Sequence, residues 1–354
     1  VGQLSQSHFV KLTPTHLKLL YDYLQDQKPL LCRVKFIVGG EKLPPEVVVK
    51  MQSIMPHASF YNEYGQTETT VACSCYKIPK LTGGETNIPI GQPINQVQMF
   101  ILDGEHSPVP VGVTGHIYVT GRALASGYLN APELSEKAFN NKMKAIRYSN
   151  KLITNLYKTG DLGRYLPDGN IEYIGREDTQ VKIRGYRVEC GEVEAKLSNH
   201  GDVNDAVVLP YVDDNGNEYL AAYLLVGDFT PTTLELTSFL QNHLPEYMIP
   251  KFYQILETYP TTENGKLDSS RLPKPVSSTV EVIDDGLAET DLEREIRILW
   301  QRILRVNVIK MSDDFFQLGG DSILCIQLMT SARRMGIYFD IKDIFDNPTI
   351  RALA

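Results

Sequence analysis

The stretch LCRVKFIVGGEKLPPEVVVKMQSIM, residues 31–55, decides how the chain is to be read. Its first part is a run of apolar and β-branched side chains ending in Gly39-Gly40, the pattern of a buried strand running into a turn. PPEVVVKMQSIM, 44–55, continues as a helix, and LKLLYDYL, 17–24, reads as another helix upstream. Strand and helix in alternation predict a layered α/β core.

Working outward, the pattern changes from Gly91 to Asp178 into short β-rich runs broken by Gly, Pro and Asp turns, such as GHIYVTG at 115–121 and NIEYIG at 170–175. Beyond Asp178 comes a small α+β unit. VKIRGYRVE, DAVVLPYV and EYLAAYLLV are its strands, and CGEVEAKLSNH and LELTSFLQNHL its helices. PKPVSSTVEVIDDGLAET, 273–290, is rich in Pro, Ser and acids without periodicity, as expected of a linker. The rest is helical, with Ile296, Leu299, Trp300, Ile303 and Leu304 on one face and a second helix after Ser322.

Composition narrows the function. A chain of 354 residues with 42% hydrophobic content can fill two to three domains. A net charge of -8 and the lack of a Lys/Arg run argue against a nucleic-acid partner. No apolar run approaches the ~18 residues of a membrane span, and VGQLSQSHF at the start has no signal-peptide character, so a cytoplasmic location is expected. The five cysteines are scattered, Cys73 and Cys75 lacking the second pair that a zinc site needs, and the seven histidines are equally dispersed.

Four stretches carry candidate chemistry. In NEYGQTETT, 62–70, a Gly turn beside hydroxyls and a carboxylate suits phosphate binding, with Glu68 able to reach Mg²⁺, although an ordinary surface turn has the same composition. In YKTGDL, 157–162, a buried Asp161 after a strand could accept ribose hydroxyls or simply cap its own turn. GREDTQVKIRGYRVECGEVE, 175–194, is either a solvated charged face or a hinge that places Arg176 and Lys182 near phosphates. LPEYMIP, 244–250, precedes NGKLD, 264–268, whose Asn-Gly turn presents Lys266 at its tip.

Taken in order, these strings resemble the core motifs of adenylate-forming enzymes, the family of acyl-CoA synthetases and firefly luciferase. GHIYVTGRALASGYL, 115–129, is a further member, and DDFFQLGGDSI, 313–323, resembles a carrier-domain signature. The match is to the nonribosomal peptide synthetase branch and covers nearly the whole chain. It implies an α/β remnant of the large adenylation subdomain over 1–177 and a small α+β subdomain over 178–274. A linker over 275–289 and a helical-bundle peptidyl carrier over 290–354 follow.

The resemblance also implies roles. Tyr64 would stack on adenine beside Asn62 and Gly65, Thr67 would contact the α-phosphate, and Glu68 would hold Mg²⁺. Asp161 and Arg176 would bind the ribose, Asp178 would be the hinge, and Lys182 and Lys266 would serve successive steps of catalysis. Departures from the family pattern are Gln66 for a usual Pro, Ser126 for a common Arg, and Ser269 where Arg is frequent. Ser322 opens a helix, where the dipole favours an attached phosphate, and is the expected 4'-phosphopantetheine site; an N-cap serine is the plainer reading.

Alignment with the family places Lys11, Ile37, Gly39, Glu63, Val71 and Ala72 around the amino-acid side chain. One Lys and one Glu suit a neutral side chain with one acceptor and one donor, which points to asparagine, or else they form a self-neutralising ion pair. The expected activity is therefore ATP- and Mg²⁺-dependent activation of asparagine and its transfer to a phosphopantetheine thiol, as in antibiotic biosynthesis. Expected partners are a phosphopantetheinyl transferase and neighbouring condensation or thioesterase domains. The family's phosphate loop is expected upstream, in an N-terminal half that this sequence lacks. A carrier-only fragment and an acyl-CoA synthetase-like ligase are the alternatives.

Overall fold

A computed structural model describes residues 9–25, 31, 33–139, 146–148, 151–153, 155–177, 180–183, 185–212, 218–227, 229–262, 267–275, 290–304, 306, 309–316, 318, 320 and 322–354, leaving aside the side chains at 146–148, 151–153, 322 and 323. Two compact units result, Val1–Val188 and Glu189–Ala354.

The first unit opens with β1 (Phe9–Leu12), α1 (Pro14–Leu24), β2 (Lys35–Gly39), α2 (Pro45–Ile54), β3 (Ser59–Tyr64), β4 (Ser74–Ile78) and β5 (Gln92–Pro93). The five strands lie side by side in chain order; β1, β2 and β3 are parallel, and β4 and β5 run antiparallel to their neighbours. Thr13 caps α1 by accepting from the His16 amide, and Pro14 occupies the first turn, where its missing N–H costs nothing. Leu17, Leu24, Val48 and Met51 from the helices cover Phe36, Val38 and Phe60 from the sheet, and the Phe36 and Phe60 rings stack at 5.2 Å. Strand alternation then forces Lys11, Ile37, Gly39 and Glu63 onto the other face.

A second sheet follows, ordered β11-β10-β7-β6, from β6 (Val97–Leu102), β7 (Gly115–Gly121), β10 (Tyr157–Tyr165) and β11 (Ile171–Arg176). Between β7 and β10 lie α3 (Pro132–Phe139) and the paired β8 (Ile146–Tyr148) and β9 (Lys151–Ile153). Met99, Ile101, Ile117, Val119 and Ile171 form its core together with Tyr64, Cys73 and Ile90, so the end of β3 is welded to this sheet. Asp161 lies within β10, whereas the sequence places it after a strand; the strand continues because its register against β7 slips between Lys158 and Leu162, with Gly160 at φ 77°. β12 (Gln180–Ile183) and β13 (Tyr186–Glu189) form a two-stranded sheet.

In the second unit, α4 (Cys190–Leu197) and α5 (Thr233–Gln241) accompany a three-stranded sheet of β14 (Val203–Val212), β15 (Glu218–Val226) and β16 (Phe252–Ile255). Thr232 and Glu235 cap α5 reciprocally. Further on, α6 (Asp291–Leu304), α7 (Ser322–Arg334), α8 (Ile341–Asp346) and α9 (Ile350–Leu353) enclose a core of Ile296, Leu299, Trp300, Phe315, Leu328 and Ile344. The Trp300 and Phe315 rings meet edge to face at 4.8 Å. Gly320 donates its amide to the Phe315 carbonyl at 2.8 Å, and a Cβ there would fall 2.2 Å from the Phe315 ring, so only glycine lets the chain turn this tightly two residues before α7.

Trp300 is fully buried. We expect Trp300→Ala to remove about 3–5 kcal/mol, close to the whole stability of a core this small. Loss of the cooperative far-ultraviolet circular dichroism transition of the helical part checks this, and an unchanged transition would refute it. Among the described residues no helix is long and apolar enough to cross a membrane.

Candidate active site

Asp161 is the centre of the first unit's polar interior. Only 3% of it is exposed, and uncompensated burial of a carboxylate is costly, so its partners matter. Arg176, opposite it on β11, donates from Nη1 to Oδ1 at 2.9 Å. Tyr64 at the end of β3 donates its hydroxyl to Oδ2 at 2.5 Å, and Gln66 donates from Nε2 to the same oxygen at 2.7 Å. Burial raises the Asp161 carboxyl above its ordinary range, and Tyr64, Arg176, Lys182 and Gln66 oppose that rise. Lys182, on β12, is itself pushed down by burial, an effect opposed by Asp161 and reinforced by Arg176 and Arg187. Arg176, Lys182 and Arg187 therefore gather three cations around Asp161 and Glu68.

Glu68 sits in a 3₁₀ turn, Thr67–Thr69, and is 4% exposed. Arg187 from β13 donates from Nη1 to both carboxylate oxygens, at 2.7 and 2.8 Å, and the Tyr128 hydroxyl donates at 2.6 Å. Burial alone would raise this carboxyl, but the Tyr128 bond, its own backbone amide and Arg187 hold it below the usual range. Mg²⁺ beside nucleotide phosphates needs only one or two carboxylates, so an ionised Glu68 fits that duty. The Arg187 guanidinium occupies both of its oxygens here, and a cation would have to take its place. Among the described residues no cluster of three or more His, Cys, Asp or Glu could hold a metal by itself.

A third group lies on the face of the first sheet opposite its core. Lys11 reaches across β2 to Glu63, Nζ to Oε2 at 2.5 Å. Gly39 makes room for this bond, since a Cβ at that position would stand 2.8 Å from the Glu63 carbonyl and 3.4 Å from Oε2. Ile37 lies in register with Lys11 on the same face. Val71 and Ala72 follow the 3₁₀ turn and pass so close to Gly65 that a Cβ there would meet the Val71 carbonyl at 2.4 Å. Thr70 and Val71 both hold left-handed backbone, φ 51° and 76°, which is unfavourable for β-branched residues.

Other candidate residues have plainer surroundings. Asn62, 5% exposed, donates to the Pro89 carbonyl at 2.8 Å and so ties β3 to the following loop. Tyr64 is 7% exposed and packs in the second sheet's core, its hydroxyl spent on Asp161. Thr67 is exposed at the start of the 3₁₀ turn. Asp178, Lys266 and the side chain of Ser322 lie outside the described residues. Tyr128, Tyr157 and Arg187 emerge only from the geometry; all three fall in or beside motifs quoted above, but nothing in their spacing marks them.

By the family matches that follow, the chain belongs with the AMP-binding enzymes. The family described as AMP-binding enzyme matches residues 5–129, the AMP-binding enzyme C-terminal domain 192–266, and the phosphopantetheine attachment site 294–354. Within the family it falls with the nonribosomal peptide synthetases, as a C-terminal adenylation part followed by a carrier domain. Tyrocidine synthase 3 of Brevibacillus parabrevis is 39% identical over 348 residues, which is 98% of this chain and 5% of that protein. Bacitracin synthase 3 of Bacillus licheniformis is 37% identical over 349 residues, 98% of this chain and 5% of that protein. The chain thus spans a small fraction of the relatives it matches. Among solved structures, a holo NRPS protein containing adenylation and PCP domains, bound to a vinylsulfonamide inhibitor, superposes with a TM-score of 0.77 at 26% identity, over 99% of this chain and 58% of that one. Enzymes with these domains use ATP, Mg²⁺ and 4'-phosphopantetheine.

Proposed function

We propose that the polypeptide carrying this chain activates asparagine as its adenylate and loads it onto a phosphopantetheine thiol at Ser322. In this reading 1–177 belongs to the large adenylation subdomain, 178–274 to the small one and 290–354 to the carrier, a division supported by the three family matches. Asp161 and Arg176 serve the ribose, Tyr64, Asn62, Gly65 and Thr67 the rest of the nucleotide, and Glu68 the Mg²⁺. A transferase installs the arm, and condensation or thioesterase domains receive the product.

The observation that carries the choice of substrate is the Lys11–Glu63 pair at 2.5 Å, framed by Gly39. A side-chain amide can insert between the two, its carbonyl accepting from Lys11 and its NH₂ donating to Glu63, so that neither charge is left alone. Aspartate would instead set a second carboxylate against Glu63, a repulsion of roughly 4 kcal/mol at ~4 Å and an effective dielectric of ~20, partly offset by Lys11.

Pyrophosphate exchange by the full synthetase with a panel of amino acids should favour asparagine over aspartate by at least about tenfold. Glu63→His should shift the preference toward aspartate. Preference for an aliphatic or aromatic amino acid would refute the substrate, while leaving the activation chemistry standing.

A further inference from the structure

Gln66 stands where the resembling enzymes usually carry proline, and its side chain is buried, 7% exposed. A primary amide has an acceptor oxygen and two N–H donors, and both donors and the oxygen are engaged. The Tyr157 hydroxyl donates to Oε1 at 2.6 Å, and Nε2 donates to the Thr159 carbonyl at 2.9 Å and to Asp161 Oδ2 at 2.7 Å. The Gln66 amide also donates to Thr69 Oγ1 at 2.9 Å, which anchors the 3₁₀ turn bearing Glu68.

These bonds fix one orientation. Turning the side-chain amide over would point Oε1 at a carbonyl and a carboxylate, three acceptors facing one another in a buried space. Both Thr159 and Asp161 lie where β10 slips against β7, so the strand ladder constrains this stretch poorly, and Gln66 adds a further tie to the bond from Thr159 Oγ1 to the Ile117 carbonyl of β7. Proline could make none of the four bonds.

We infer that Gln66 is a positioning residue: with its orientation set by Tyr157, it clamps Asp161 Oδ2 and the irregular turn of β10, leaving Oδ1 and Arg176 to meet the nucleotide ribose. This rests on the reading of Asp161 as the ribose ligand. The charged and titratable groups facing Asp161 are Tyr64 from β3, Cys73 from the turn before β4, Arg176 from β11 and Lys182 from β12. The Tyr64 hydroxyl is one neutral donor at Oδ2, and the Gln66 amide is the second, holding the carboxylate ionised without adding charge.

The test is AMP binding by calorimetry on the full synthetase between pH 5 and 8, comparing wild type with Gln66→Met, Tyr157→Phe and Asp161→Asn. Gln66→Met keeps the chain length but loses the amide. It should weaken AMP about tenfold, as expected for an unmade buried hydrogen bond. The pH below which binding falls should rise, because Asp161 then protonates more easily. Tyr157→Phe, which loses only the hydroxyl that orients Gln66, should move both quantities in the same direction by less, and it decides the matter if the methionine variant does not fold. Wild-type affinity and an unmoved pH profile in both variants, with Asp161→Asn impaired, overturn the role of Gln66. Wild-type affinity in Asp161→Asn overturns the ribose reading instead.

Discussion

Ser322→Ala should gain no mass at all when the protein is incubated with a phosphopantetheinyl transferase and coenzyme A, whereas the unaltered chain gains one arm. The structure supplies the setting. The tight turn at Gly320 against Phe315 delivers residue 322 as the first residue of α7, a 13-residue helix whose amide end favours an attached phosphate. Loss of a hydroxyl at a helix start costs at most about 0.5–2 kcal/mol. Circular dichroism should therefore be unchanged while the mass shift disappears. A variant that is still modified at full yield would move the attachment point elsewhere.

The second large effect is expected at Lys266. In the full synthetase, Lys266→Ala should reduce amino-acid-dependent pyrophosphate exchange by the ~10² to 10³ typical of losing one preorganised charge, while sparing thioester formation from supplied aminoacyl-adenylate. The resemblance assigns Lys266 to the adenylating step. The first unit holds Lys182 beside Asp161, with Arg176 and Arg187, so under the proposed reading cations other than Lys266 remain for the thioester step. Measuring both half-reactions on one preparation separates the steps, and an equal large loss in each would sink the division of labour.

Local order is readable in the residues. The apolar run before Gly39-Gly40 is β2, PPEVVVKMQSIM holds α2, VKIRGYRVE holds β12 and β13, and Trp300 with its neighbours lines the helical core. Each follows from a period of two or of 3.6 that is contained within a dozen residues. The site is readable only as a set of names. Gln66 and Asp161 are 95 positions apart and Glu68 and Arg187 are 119 apart, and no periodicity reports a hydrogen bond across such a distance. Gln66 stands out in the sequence only as a departure from the family pattern; what the departure does becomes visible once the slip in β10 brings Thr159 and Asp161 to its amide. Arg187 sits unmarked inside the same motif as Lys182, because strand alternation does not say which of two cations finds a carboxylate.

The two faces of the first sheet do separate work. Phe36, Val38 and Phe60 answer to the helices, while Ile37, Gly39 and Glu63, their neighbours in sequence, face the side on which the proposed substrate would lie. In evolutionary terms this makes the scaffold modular at the scale of single codons. A lineage can exchange one preferred monomer for another by point changes at odd positions of β2 and β3 without repacking the core. Under the proposed reading, the product of such a synthetase can change while its architecture stays as it is.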